Sequence, residues 1–459
     1  MNMKTLLQAS LLAATGLHAA PLALHPDNPH YFLFRDKPTL LITSAEHYGA
    51  VLNLDFDYLK YLDALAADGL NLTRTFSGSY IEPQGAFGIV ENTLAPKPGR
   101  FISPWVRSDQ AGKFDLARWD AAYFSRLKDF VAQAGRRGII VELTLFCPMY
   151  EEAQWQLSPM NAANNINGIG AVARNDVYTL DKSGSLLQLQ ESLVRKLVAE
   201  LRDADNVCYE ICNEPYFGGV TLAWQHHIAD VISAAEKEDA HPHLITQNIA
   251  NGSAKIDQPH PSVSVFNFHY ANPPTAVALN YGLNKVIGNN ETGFQGTADA
   301  AYRMAAWEFI LAGGGLFNNL DYSFAAGHED GSFHYPPTQP GGGNPAFRKQ
   351  LKVLKEFISG FEFVKMRPAR DAIGEALPKG ARCQVLAEPG RQYAAYFNAA
   401  PKFAFTLELP AGTYQIQWLD VVTGHSGAPT QLAHPGGPAK VQLPDDLTEC
   451  AVKIVLQAK

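Results

Sequence analysis

From residue 39 to residue 320 the chain repeats one pattern: a short apolar run, then a longer amphipathic segment. The apolar runs fall at 39–44, 71–76, 138–146, 206–214, 243–247, 262–270, 285–291 and 314–320. Each is a few residues long and bounded by Gly, Pro or polar residues, which is how buried strands read. Segments 55–67, 119–137, 186–201, 221–237, 274–281, 297–311 and 344–360 carry apolar residues at helical spacing, such as Leu59, Leu62 and Leu65 on one side of the first. Asp55 reads as its N-cap, and Pro345 is tolerated in the first turn of the last. Eight strands alternating with helices predict a (β/α)8 TIM barrel over residues 21–366, in the α/β class. The competing arrangement is an open doubly wound sheet, but no Gly-rich phosphate loop follows the first strand. A hydrophobic content of 46% against 18% charged residues supplies enough apolar side chain for a core of that size. Residues 31–38 read as a hairpin placed to plug the bottom of the barrel.

The two ends differ in character. Lys4 precedes an apolar stretch, 6–17, that closes on Ala19 and Ala20. It is too short for an ordinary membrane span and reads as a signal peptide over 1–20. Export to the periplasm or medium follows as an expectation. No other stretch is apolar for long enough to cross a membrane. Residues 366–379 read as a linker punctuated by Pro368 and Pro378. Beyond it, 380–459 holds short alternating segments at 382–387, 392–398, 403–409, 414–419 and 448–456, the pattern of a small all-β sandwich. Export would permit disulfides, but five cysteines give no even framework. Cys208 and Cys212 on one strand lie roughly 13 Å apart. Cys383 and Cys450 stay open as a pair. With 37 basic and 45 acidic residues the net charge is −8 and no basic run stands out, so neither nucleic acid nor an anionic surface is an expected partner.

Active residues of such barrels stand at the C-terminal ends of strands and in the loops that follow. The polar groups there are Glu46 and His47, Arg74, Asn213 and Glu214, His269 and Tyr270, Glu291, and Asn319, Asp321 and Tyr322. Glu214 and Glu291, from the fourth and seventh strands, face each other across the barrel mouth. Two opposed carboxyls in different environments are what glycosidic cleavage needs. By period two, Glu210 shares Glu214's side of its strand but lies about 13 Å deeper. It reads as a buried structural acid paired with a core base, and Glu142 reads likewise. Tyr80, Trp105, Tyr150, Trp155 and Phe217 lie in the loops of the same face, where one or two are expected to stack on sugar rings. His226-His227 and His241-Pro242-His243 fall on a helix and at a strand's N-terminal end, so no metal site or other cofactor is expected.

The segment Tyr209-Glu210-Ile211-Cys212-Asn213-Glu214-Pro215 closely resembles the acid/base motif of glycoside hydrolase clan A, particularly its cellulase-like family 5. Lys285-Val286-Ile287-Gly288-Asn289-Asn290-Glu291-Thr292-Gly293 is similar to the clan's nucleophile strand. The resemblance runs from about residue 30 to 360. It implies Glu214 as acid/base, Glu291 as nucleophile, Arg74 as the base that orients it, and Asn213 as a ligand of the sugar's 2-hydroxyl. His269-Tyr270 resembles the strand-six pair whose Tyr hydrogen-bonds the nucleophile, although the family often spaces the two by one residue. The clan's Trp at the end of strand eight is replaced by Asn318-Asn319-Leu320-Asp321-Tyr322. There Asp321 and Tyr322 are expected to contact sugar, and so are His47 and Glu46 at the end of the first strand. The expectation is an exported, retaining glycoside hydrolase acting on a poly- or oligosaccharide. The alternative is a sugar-binding barrel without catalysis, and the oligomeric state is left open.

Overall fold

The computed structural model describes residues 20–457 apart from 46, 111, 375, 376, 378 and 399–403. The signal-peptide segment and Glu46 therefore lie outside the described residues. Eight strands form one sheet: β1 (Leu41–Ile42), β2 (Leu72–Phe76), β3 (Ile140–Phe146), β4 (Val207–Cys212), β5 (Leu244–Asn251), β6 (Val263–His269), β7 (Val286–Glu291) and β8 (Leu316–Phe317). All neighbouring pairs are parallel, and β8 pairs with β1. The ring closes between β1 and β2 through the chain just past β1. His47 N donates to Arg74 O (3.0 Å) and Phe76 N to Tyr48 O (3.0 Å). Deeper down, the Asn71 amide replaces ladder bonds: its Oδ1 accepts from Ile42 N (3.1 Å) and its Nδ2 donates to Leu40 O (2.8 Å). The barrel helices are α1 (Tyr58–Ala67), α2 (Ala121–Arg136), α3 (Leu186–Leu201), α4 (Leu222–Ala235), α5 (Thr275–Asn280), α6 (Asp299–Leu311) and α7 (Pro345–Ser359). Asp57, not Asp55, caps α1, accepting from Leu59 N and Lys60 N. Asp55 instead pairs with Arg100 (2.6 Å).

The barrel interior is layered, and the layers follow from the two-residue repeat of each strand. At the bottom Leu41, Leu72, Ile140, Cys208, Leu244, Val265, Val286 and Leu316, one from each strand, form an apolar floor. Phe32 and Phe34 pack beneath it from a hairpin of Phe32–Phe34 with Lys37–Thr39, joined by Ala23–Leu24. The plug expected from the sequence is thus in place. Two residues higher on each strand the lining turns polar, with Arg74, Glu142, Glu210, Thr246 and Asn267, all 0% exposed. Gly288 belongs to this layer for lack of room: a Cβ there would stand 2.2 Å from Asn267 Oδ1. The third layer is the mouth.

The C-terminal region is a sandwich of two antiparallel sheets. The larger has the order Arg367–Pro368, Arg382–Glu388, Gln392–Asn398, Glu449–Leu456, Gly412–Asp420, Thr430–His434, and Ala404–Leu409 pairs with Gly437–Gln442 in the smaller. The expected linker is partly absorbed into it, since Arg367–Pro368 pairs with Leu386 and Ala387 and Ile373 lies in the sandwich core. Trp307 of α6 stacks on Tyr396 of the larger sheet (5.6 Å), and Arg303 of α6 pairs with Glu449 (2.5 Å), so the sandwich is fixed against the barrel wall. All five cysteines are unpaired. Cys383 and Cys450 sit opposite Phe397 from either side. Two strand spacings, roughly 9.6 Å, exceed the reach of a disulfide. Among the described residues no helix is long and apolar enough to cross a membrane.

Candidate active site

Glu291 ends β7 with its carboxylate in the barrel mouth and is 5% exposed. Its Oε1 accepts from the Tyr270 hydroxyl. Its Oε2 accepts from the Tyr48 hydroxyl and from Arg74 Nη1 (3.2 Å). Arg74 Nη1 also donates to Tyr48 Oη (2.6 Å), so the cation and the phenol brace one another against the same oxygen. Glu214 lies two residues past β4. Its Oε2 accepts from the Tyr150 hydroxyl (2.7 Å), and its Oε1 from the Tyr216 hydroxyl (3.1 Å) and His269 Nδ1 (3.2 Å). The same His269 nitrogen is 3.5 Å from Glu291 Oε2. It stands between the two acids. One oxygen of each carboxylate and a ring nitrogen of His269 all lie within 4.8 Å of one another. His269 Nε2 is met by Asn248 Nδ2 on the side away from the acids.

Two backbone reversals build this constellation. Adjacent residues of a strand point to opposite faces, yet Asn213 and Glu214 both reach the mouth, and so do His269 and Tyr270. Glu214 has φ 35° and Tyr270 has φ 53°. Residues with a side chain rarely adopt that region, and such outliers gather at functional sites. The reversal explains why an adjacent His-Tyr pair serves here without the intervening residue. A bulge between Phe268 and His269 shifts β6 against β7 at the same level.

Beneath the mouth, Arg74 holds Glu210 in a bidentate pair, Nε to Oε2 at 2.6 Å and Nη2 to Oε1 at 2.8 Å. Nη2 also donates to Asn213 Oδ1 (2.6 Å), which turns the Asn213 amide so that its Nδ2 donates to Tyr150 Oη (2.8 Å). Arg74 thus reaches the nucleophile candidate, the Asn beside the acid/base candidate, and Glu210, the buried acid whose partner was expected to be a core base. Glu142 stands 3.9 Å from Arg74 Nε. Burial first, then the charge of Glu210, push its carboxyl up to about 7, against the pull of Arg74, Thr246 and Asn290. Burial also works to raise Glu214. The hydrogen bond and charge of His269, with the Tyr150 and Tyr216 hydroxyls, outweigh it and hold that carboxyl below its ordinary value.

The other expected contacts divide. His47 lines the mouth, but its ring stacks on Phe56 (4.0 Å) and packs by Tyr61 and Phe324. Burial pushes its pKa down to about 3, so it is a neutral packing element. The Asp321 carboxylate does not stand ready for sugar. It is taken up by Arg348 (2.9 Å), Ser44 (2.8 Å) and Ser323 (2.5 Å), and ties the end of β8 to α7. Tyr322 is half-buried and lines the mouth. Tyr80, Trp105 and Trp155 are buried under their own loops. Phe217 (44% exposed) is joined at the rim by Phe87 (45%) and Phe294 (54%), the last packed edge-on against Tyr270 (5.7 Å). Phe87, Phe294, Tyr48 and Tyr216 were not anticipated. Tyr48 directly follows His47 past strand one, and Phe294 lies three residues past Glu291, so position alone could have flagged both.

Glu214, His269 and Glu291 have a spacing that a metal ion accepts. Their oxygens are already turned toward hydroxyl donors, and a guanidinium 3.2 Å from Glu291 repels a cation. The residues fit a proton-transfer and nucleophile pair better than a metal centre.

No protein-family model matches the sequence, and neither does any curated protein. Solved structures do match. One described as a glycoside hydrolase is 13% identical and covers 96% of this chain and 98% of its own, with a TM-score of 0.68. The chain has the fold of a family 5 glycoside hydrolase. A family 5 structure from Bacteroides vulgatus is 13% identical, covers 96% of this chain and 94% of its own, and has a TM-score of 0.67. A family 5 mannosidase from Rhizomucor miehei is 13% identical and covers 75% and 100%, with a TM-score of 0.51. The first two matches span sandwich as well as barrel, so the shared fold includes both parts.

Proposed function

We propose that the chain is a retaining glycoside hydrolase acting on a poly- or oligosaccharide. The observation that carries this reading is the opposition of Glu214 and Glu291 at the mouth, with one oxygen of each carboxyl within 4.8 Å of the other and His269 Nδ1 3.2 Å and 3.5 Å from the two. Retaining enzymes hold their carboxyls about 5–5.5 Å apart, and inverting ones about 6.5–9.5 Å, to admit a water. Glu291 attacks the anomeric carbon while the glycosidic C–O bond breaks, and the leaving oxygen takes the proton of Glu214. Water then gives a proton to Glu214 and attacks the same carbon, which releases Glu291 from its ester. Tyr48, Tyr270 and Arg74 aim Glu291, and Asn213 is set to meet the 2-hydroxyl. In the open site the donors around Glu214 favour its anion, the form needed for the second step. Sugar seated over the mouth excludes water, which raises a carboxyl's pKa and favours the acid needed for the first.

The test is the configuration of the first-formed sugar, followed by proton NMR on a panel of aryl glycosides that includes mannosides, glucosides and galactosides. The expected product keeps the substrate's anomeric configuration. An inverted first product sinks the mechanism. Export is part of the same proposal. The mature protein is expected in the periplasm or medium and to begin at Pro21. Recovery from the cytosol with residues 1–20 intact would overturn it.

A further inference from the structure

The mouth holds a third acid that the chemistry above does not use. Glu82, in the loop after β2, lines the same cavity as Glu214 and Glu291 and is 7% exposed. Its Oε1 accepts from the Tyr80 hydroxyl (3.1 Å) and its Oε2 from Asn92 Nδ2 (2.5 Å). A carboxylate offers about four acceptor positions, so two remain for a ligand. Burial, opposed by these two donors and assisted by the charge of Glu291, pushes it up to about 7. A buried carboxyl under that pressure is stabilised by any hydroxyl that donates to it.

Its surroundings are a wall rather than a flap. Glu82 N donates to Leu94 O (2.9 Å), Asn53 Nδ2 to Thr93 O (3.1 Å), and Val90 N to Gln339 Oε1 (3.1 Å) in the loop after β8. The chain at Thr93 lies so close to residue 49 that a Cβ on Gly49 would stand 2.3 Å from Thr93 O. The segment from Glu82 to Leu94 is therefore pinned across the β1, β2 and β8 side of the mouth, and its Phe87 packs edge-on against Tyr150 in the loop after β3 (5.3 Å). A leaving group must lie on the side of its proton donor, Glu214. Any further sugars of the glycone would then have to run toward the wall. The cavity is small, about 110 Å³, against roughly 300–1,000 Å³ for pockets that enclose drug-sized ligands.

We infer that the wall closes the glycone side after a single sugar residue, that Glu82, positioned by Asn92, accepts hydrogen bonds from that residue's terminal hydroxyls, and that the enzyme is exo-acting from the non-reducing end. The inference rests on the proposed hydrolase reading for its polarity. Two measurements test it. Wild-type protein is given a reduced oligosaccharide of a cleaved linkage, and an aryl glycoside with its terminal 4- and 6-hydroxyls tied in a benzylidene acetal. The expected results are monosaccharide alone as first product and at least about a hundredfold loss on the blocked glycoside. Early release of longer oligosaccharides, or comparable cleavage of the blocked glycoside, overturns the inference and leaves the hydrolase standing. Glu82→Gln is then compared with wild type on the parent aryl glycoside and on its 4- and 6-deoxy analogues, and in calorimetric titration with the free monosaccharides. A loss of tenfold or more in kcat/KM on the parent, with a smaller loss on one deoxy analogue, supports the contact. Equal losses on all, or no loss, refute it. Should wild type cleave no glycoside, weaker monosaccharide binding by Glu82→Gln upholds the contact while the hydrolase reading fails. Unchanged or absent binding ends both.

Discussion

Glu291→Ala is expected to abolish turnover on every glycoside, while Glu214→Ala stays active enough on aryl glycosides with good leaving groups for azide to rescue it. The two carboxyls are asked for different things. Without Glu291 there is no group to form the glycosyl ester. Azide admitted to the space it leaves attacks the anomeric carbon directly and gives the inverted glycosyl azide. Without Glu214 the first step loses its proton donor, a loss of roughly 10²–10⁴ in rate for a sugar leaving group, and much less for a dinitrophenolate that departs unprotonated. The second step also loses its base, so the glycosyl ester accumulates. Azide needs no base; it attacks the anomeric carbon, the C–O bond to Glu291 breaks, and the product keeps the substrate's configuration. Rates of dinitrophenolate release with and without azide, and NMR of the glycosyl azide, separate the cases. A retained azide product from Glu291→Ala, or a Glu214→Ala protein indifferent to azide, would exchange or remove the assigned roles. Near-wild-type unfolding midpoints in both variants tie the losses to chemistry.

How far such roles can be read from residues alone depends on how local their causes are. The barrel was legible because its apolar runs and helical faces are periodic, but the layer that Arg74 shares with Glu142 and Glu210 is set by strand register, which a period of two does not reveal. The carboxyl pair was legible because both stand at strand ends. The positive φ of Glu214 and Tyr270 was not, since a backbone reversal leaves no mark in a residue without glycine. The ties of Asp321 were hidden for a different reason. Its partner Arg348 comes from the helix after the following loop, and nothing in the spacing shows that the two side chains meet. Loop aromatics failed in the same way, since Trp105 and Trp155 are consumed by packing whereas Phe294 is left at the rim. The choice between Asp55 and Asp57 as cap was decided by Arg100, forty-five residues away in sequence.

Arg74→Met is expected to cost about 3–5 kcal/mol of stability at pH 8, the range for breaking a buried ion pair from one side, and distinctly less at pH 5. Arg74 is 0% exposed and donates twice to Glu210 and also to Glu291, Asn213 and Tyr48. Its removal leaves buried acids facing one another with their cation gone. The pH dependence follows from Glu142, whose folded pKa is raised from 4.5 to about 7. A carboxyl raised on folding keeps its proton in the folded protein after the unfolded chain has lost it. Its contribution to stability is therefore fullest below the unfolded value and falls as pH rises through the folded one. Arg74 is one of the groups that hold Glu142 down, so its loss lifts that pKa further and extends the fall. At pH 5 Glu142 is mostly protonated with or without Arg74, and less of the deficit remains. Urea unfolding of wild type and variant at the two pH values measures the difference. A deficit below about 1 kcal/mol at pH 8, the level of an exposed pair, would show that Arg74 only aims Glu291. An equal deficit at both values would remove the acids beneath the mouth from the account.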